Sequence, residues 1–189
     1  MNVQYRDASN LNARTRLHRF STNPRAWYSW VFDRFKLASE SRILELGCGP
    51  GNLWVENAHR VPQTWDVTLS DFSPGMVREA QQKLGESRRD IKFQAIDARQ
   101  IPFEENSFDA VIAILVMHHV PDVDKAFSEV CRVLRPGGRF YVGTTGKDHM
   151  RELLELMHRA GIPYGPRSFE TFSLDDGSGR LRTWFDVVT

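Results

Sequence analysis

The chain has 189 residues, 25 lysines and arginines against 24 acids for a net charge of +1, and 41% hydrophobic residues. This is the composition of an ordinary soluble globular protein, with one domain as the default and a core large enough to stand without a disulfide or metal staple. Its two cysteines, Cys48 and Cys131, are far apart and in no C-x-x-C pattern. That excludes a zinc site built on paired cysteines, a dithiol redox motif and a secreted disulfide framework.

The longest apolar run, residues 110–117, is too short for a membrane helix, and the amino terminus lacks the apolar segment of a secretory signal. A reducing cytoplasm is the expected location. Residues 1–42 carry eight basic groups against three acids, whereas residues 43–150 carry twelve against fifteen. The basic leader is dispersed, as on a solvated helix face, and nucleic acid is not the expected partner.

Residues 1–40 read as one or two helices rich in aromatics, Trp27, Tyr28, Trp30, Phe32 and Phe35 among them. Anchoring of a helix to the domain is the commoner use of such residues, with an aromatic wall for a ligand as the alternative. They make a helical leader, 1–40, ahead of a second unit, 41–189. From residue 41, short apolar runs alternate with amphipathic stretches, the pattern of a parallel sheet crossed by helices.

Strands are predicted at 42–48, 65–71, 91–97, 109–116 and 139–143, and helices at 52–60, 74–84 and 122–134. Pro136-Gly137-Gly138 is expected to end the last helix and turn the chain into the fifth strand. A helix at 148–160 follows, with Met150, Leu153, Leu154 and Met157 on a core-facing side. Residues 168–174 and 181–188 read as extended segments around a turn at 175–179. The fold class is α/β, a Rossmann-like, doubly wound, mostly parallel sheet with helices on both faces.

The first strand runs through Glu45 and Leu46 into Gly47-Cys48-Gly49-Pro50-Gly51 and then a helix. Glycines at alternate positions let the backbone approach a ligand closely and adopt angles other residues resist. The dinucleotide fingerprint wants a small residue where Asn52 stands, and a phosphate-binding Walker loop wants Gly-Lys-Ser/Thr, which is absent. Glu45 would repel a phosphate and welcome a cation. The second strand ends in Asp71, where a carboxylate can accept both hydroxyls of a ribose, and the third ends in Asp97-Ala98, which can read an adenine edge.

Taken in order, ILELGCGPG, DFSPGM, IDARQIPFEENSFD, AVIAILVMHHV and VLRPGG resemble the class I S-adenosylmethionine-dependent methyltransferases, particularly their broad small-molecule branch, over residues 43–143. The resemblance implies S-adenosyl-L-methionine as cofactor. Glu45, Gly47, Cys48, Gly49 and Gly51 would embrace its methionine half and Asp71 its ribose. Phe72 and Met76 would border the adenine or ribose, Asp97 and Ala98 would hold the adenine edge, and backbone carbonyls near Ile114 and Leu115 would meet its amino group. No metal is implied.

His119 matches a frequent histidine beside that pocket and is the candidate catalytic residue; His118, His18 and Tyr5 are alternatives by position, and Arg14 and Arg16 could reach a carboxylate. The motifs of exocyclic base-amine and cytosine-C5 enzymes are absent. The residues after Gly146 suffice for a helix and one further strand, so the family's seventh strand is expected to be missing, with a monomer or a homodimer through the open edge.

A small-molecule acceptor is the expected partner, with an RNA or protein acceptor, a non-catalytic cofactor-binding module, or a nicotinamide-dependent oxidoreductase as alternatives.

Overall fold

Arg42–Leu46 (β1) lies at the centre of the sheet and is buried along nearly its whole length. The structure, a computed structural model, describes residues 20–85, 90–162 and 171–189. β1 leads into Asn52–Asn57 (α2), after Trp27–Phe32 (α1), and on to Asp66–Asp71 (β2), Pro74–Leu84 (α3) and Lys92–Ala95 (β3). Phe108–Ile114 (β4), Val123–Val133 (α4), Leu134–Gly143 (β5), Arg151–Arg159 (α5) and Leu174–Leu181 (α6) complete the described strands and α-helices.

The strands run parallel in the order β3-β2-β1-β4-β5. The chain therefore winds to one side of β1 through β2 and β3, then crosses to the other through β4 and β5. At such a reversal the connections on the two sides diverge and leave a crevice at the carboxyl ends of the strands.

Alternation of side chains divides the core between the two faces. Leu44, Leu46, Phe108, Val111 and Ala113 pack with α4 through Ala126, Phe127, Val130 and Val133. Ile43, Val67, Leu69, Ala110 and Ile112 pack on the opposite face with Phe32 of α1, Leu53 and Trp54 of α2, and Ala80 and Leu84 of α3. The edge strand β3 is short and exposed, and its Lys92 pairs with Asp66 on β2 at 2.6 Å, a charged edge of the kind that discourages further strand addition.

Helix ends follow local chemistry. Ser73 caps α3 ahead of Pro74 by accepting from the Met76 N–H, and Asp122 caps α4 by accepting from the Lys125 N–H at 3.1 Å.

Three expectations from sequence are corrected. Pro136-Gly137-Gly138 lies inside β5: Phe108 pairs with Leu134 and Ala110 with Arg139, so the intervening residues bulge from a strand that begins directly after α4. Residues 174–181, read as the end of one extended segment and a turn, form α6. Ser173 and Asp176 make a reciprocal capping box there, and Gly177 fits against the Phe172 ring, where a Cβ would lie 3.1 Å from it. Residues 182–189 form no strand; Phe185 stacks on Phe140 of β5 at 5.4 Å instead.

The helix predicted at 148–160 is present as α5, but its apolar residues are not core. None of α5 is buried, and Met150 is 41% exposed. Residues 168–170 lie outside the described part. Among the described residues no helix is long and apolar enough to cross a membrane.

Phe127 is fully buried and meets Phe140 and Phe172 edge-on, joining α4, β5 and the segment before α6. Phe127→Ala should lower unfolding free energy by about 3–5 kcal/mol in a denaturant titration. A loss below about 1 kcal/mol would show that these three elements are not held by a shared core.

Candidate active site

The crevice at the centre of the sheet is bounded by the exits of β1, β2 and β4. Gly47, Gly49 and Gly51, which follow β1, have φ of +73°, +53° and +77°. At Gly47 the need for glycine is steric as well: a Cβ would stand 2.4 Å from Cγ2 of Val116, just beyond β4. A Cβ on Gly51 would meet Leu84 and Ala80 of α3 at 3.0 and 3.3 Å. The turn is thus pressed against neighbours on two sides, and its backbone is left to face the crevice.

Asp71 ties this turn to β2. Its Oδ2 accepts from the Gly49 N–H at 3.0 Å and its Oδ1 from the Ser73 N–H at 2.8 Å. Cys48 donates its N–H to the Ser70 carbonyl at 2.8 Å, continuing the ladder past the strand end. Burial raises the Asp71 carboxyl above the ordinary range, and the two N–H donors oppose that rise. Each oxygen keeps a second lone pair, so the carboxylate can still accept hydroxyls.

Glu45 lies below the turn on the face shared with α1, α2 and α3. It is 3% exposed, and its Oε2 accepts from Trp54 Nε1 at 2.5 Å. Removal from water, with Asp71 adding like charge, pushes this carboxyl up to about 8, while the indole donor pulls the other way. Burial likewise drives the Cys48 thiol well up, so this cysteine is no thiolate nucleophile. Tyr28 of α1 lies within electrostatic range of Glu45, its hydroxyl bonded to the Asn52 side chain.

Beyond β4, Leu115 adopts φ +57°, a conformation costly for a branched side chain, and its N–H donates to the Gly143 carbonyl at 2.8 Å. Ile114 is half-buried and Leu115 exposed. The 3₁₀ turn Met117–His119 follows; His118 is buried, His119 is exposed, and their rings lie 4.1 Å apart.

At the exit of β3, the Asp97 carboxylate is gripped by Arg99 through Nε at 3.1 Å and Nη2 at 2.7 Å, and by the Arg99 N–H. The guanidinium holds this acid below the ordinary range. Ala98 is half-buried.

Most of the residues singled out from sequence therefore come to one crevice: Gly47, Cys48, Gly49 and Gly51 with Asp71, bordered by Ile114 and Leu115. Phe72 projects from the end of β2 with 55% of its surface exposed. Met76 does not share that exposure; it is 2% exposed, turned into the interior from α3. Tyr5, Arg14, Arg16 and His18 lie outside the described residues.

Sequence reasoning missed Trp54 as the partner of Glu45, Val116 as the wall against Gly47, and Arg99 as the partner of Asp97. Only Arg99 carried a local signal, a cation two residues from an acid. Of the aromatic leader, Phe32 is core and Tyr28, Trp30 and Phe35 pack on it, whereas Trp27 is 45% exposed and stacks on Trp30 at 5.3 Å.

Comparison with known proteins agrees with this geometry. The family model described as a methyltransferase domain matches residues 44–142. A demethylmenaquinone methyltransferase of Deinococcus radiodurans is 37% identical over 101 residues, 53% of this chain and 42% of that protein. Sterol 4-C-methyltransferase strm-1 of Caenorhabditis elegans is 29% identical over 70% of this chain and 42% of its own length. The chain spans about half the length of the curated relatives it matches. A SAM-dependent methyltransferase from Aquifex aeolicus shares the fold at a TM-score of 0.66 with 18% identity, covering 83% of this chain and 78% of that one.

The buried Glu45 gives a pH signature. The folded carboxyl keeps its proton up to about pH 8 and the unfolded chain releases it near 4.5, so the folded state binds more protons between these values. Stability from Glu45 is complete below the lower value and is lost as pH rises through the upper one. Glu45→Gln keeps an acceptor for Trp54 but cannot ionise. The thermal midpoint of the wild type should therefore fall relative to that of the variant between pH 4.5 and 8, whereas parallel curves would show that Glu45 titrates as an ordinary exposed acid.

Proposed function

This chain belongs to the class I methyltransferase-domain family, and on that premise we propose that it binds S-adenosylmethionine in the central crevice and transfers a methyl group to a small-molecule acceptor. The observation that carries the reading is the union of the left-handed glycine turn with Asp71: a backbone open to a ligand on β1 is bonded to a carboxylate on β2. S-adenosylmethionine supplies, when bound, a methyl group on a positively charged sulfur.

The residues present fit that molecule. Gly47, Gly49 and Gly51 leave room for its amino-acid end, where a Cβ at Gly47 or Gly51 would instead force its neighbours aside. Asp71 accepts from the ribose hydroxyls with its remaining lone pairs. Phe72, exposed beside it, offers a ring face to the base, and Asp97 and Ala98 hold the base's polar edge. The carbonyls around Ile114 and Leu115, where the backbone at Leu115 is left-handed, are the proposed acceptors for the cofactor's amino group. The protein's chief contribution is orientation, since alignment of nucleophile, methyl and sulfur is worth up to about 7–11 kcal/mol of the barrier in favourable cases.

His119 is the proposed proton acceptor for a nucleophile that arrives protonated, because it is exposed on the turn that leaves β4 at the mouth of the crevice. Residues 1–40 form the proposed cap over residues 41–189; support comes from α1, whose Phe32 meets Trp54 of α2 at 6.5 Å. The names of the relatives, a sterol and a demethylmenaquinone enzyme, favour an apolar ring compound methylated at carbon over RNA or protein.

Asp71→Ala should weaken S-adenosylhomocysteine binding about 10- to 100-fold in a calorimetric titration, the worth of hydrogen bonds to a charged acceptor. Unchanged affinity, or saturable binding of NAD in its place, would overturn the assignment. His119→Ala should lower kcat by about 10²-fold or more and flatten the acidic limb of its pH profile, with cofactor affinity intact. An unaltered profile would remove His119 from the chemistry.

A further inference from the structure

Glu45 is not needed to bond any part of the glycine turn, yet it is buried within range of groups of one sign. Asp71 faces it from β2, the Cys48 thiol from the turn, and the Tyr28 hydroxyl from α1, with Glu56 of α2 acting on Tyr28 in turn. Among the described residues none of the groups acting on Glu45 is a cation, and its side chain receives one hydrogen bond, from Trp54. A lone buried carboxylate in such surroundings is costly, and one donor does not offset the lost hydration. The acid is comfortable only when neutral or when positive charge arrives.

We propose that Glu45 is protonated in the ligand-free protein and releases its proton to solvent when a positively charged ligand enters the crevice. Binding of the cationic methyl donor is thereby linked to pH, and the loss of charge on the sulfur after transfer lets Glu45 take a proton back. The O–H bond of the carboxyl breaks, the electron pair stays on the carboxylate oxygen, and the proton passes to buffer; nothing is oxidised or reduced. This inference rests on the cofactor reading above and adds regulation of the same site.

Because the Glu45 carboxyl sits near 8, the linkage is exerted around neutrality. Donor affinity should rise with pH up to that value, by at most tenfold per pH unit for one linked proton. The test is calorimetric titration of the whole chain near pH 7 in buffers of different ionisation enthalpy, which counts protons released on binding. Three ligands form a charge series: S-adenosylmethionine with sulfonium and ammonium, S-adenosylhomocysteine with ammonium alone, and 5′-methylthioadenosine with neither.

The wild type should release most of one proton with the first, fewer with the second and none with the third, and Glu45→Gln should abolish the difference between the first and the third. Trp54→Phe, which removes the indole donor, should carry the release to higher pH, and it serves where Glu45→Gln does not fold. Equal proton counts across the ligand series, or equal counts in wild type and Glu45→Gln with both binding, would overturn the inference and leave the cofactor site standing. Absence of saturable binding by the wild type for the two charged ligands would instead overturn the cofactor reading, and this inference with it.

Discussion

The site depends on the contact between Gly47 and Val116. β1 and β4 are neighbours in the sheet although far apart in sequence, and the segments leaving them touch where a Cβ on residue 47 would stand 2.4 Å from Cγ2 of Val116. A chain so confined on one side has to leave β1 through left-handed backbone, and glycine permits this at Gly47, Gly49 and Gly51. The same crowding accompanies the strained residue on the opposite wall, Leu115, whose N–H is fastened to β5. Strain is tolerated there because the parallel pairing of β1, β4 and β5 over-determines both exits.

Asp71 converts that steric arrangement into an electrostatic one. Its carboxylate spans the gap between β2 and the turn by accepting from Gly49 and Ser73, so the glycine backbone and the buried charge are fixed by one group. Below it, Glu45 and Cys48 are buried with no cation acting on them among the described residues, and both are driven toward their neutral forms. The crevice floor is therefore acidic in composition while carrying little net charge, a state that an entering cation would alter.

How much of this was legible follows from how local each cause is. Strands β1 to β4, the second half of β5 and the helices 74–84 and 122–134 could be read because their apolar periodicity and caps are contained within a dozen residues. The placement of the glycine turn, Asp71 and Asp97 at strand exits was legible because each follows an apolar run in a fixed order. The α6 helix was misread because its two glycines speak against helix while its capping box and the packing of Gly177 under Phe172 favour it, and the second of these is a tertiary fact. Trp54 and Val116 could not be found for the same reason: the partner of each is set by the packing of α2 on β1 and of β4 beside β1.

The two sides of the crevice differ in the kind of residue that builds them. Beyond β1 and β2, backbone groups and short acids form the wall, and their placement is dictated by a sheet whose central strands are buried. Beyond the end of β4 lie the exposed Leu115 and His119. The α5 helix, which follows β5, buries none of its residues, and at nine residues it is too short to persist on helix propensity alone. A change at the β1 and β2 exits acts on elements locked by the core and is felt first in stability. A change beyond β4 meets fewer fixed neighbours and can be made without disturbing the sheet, as expected of exposed segments on a rigid scaffold.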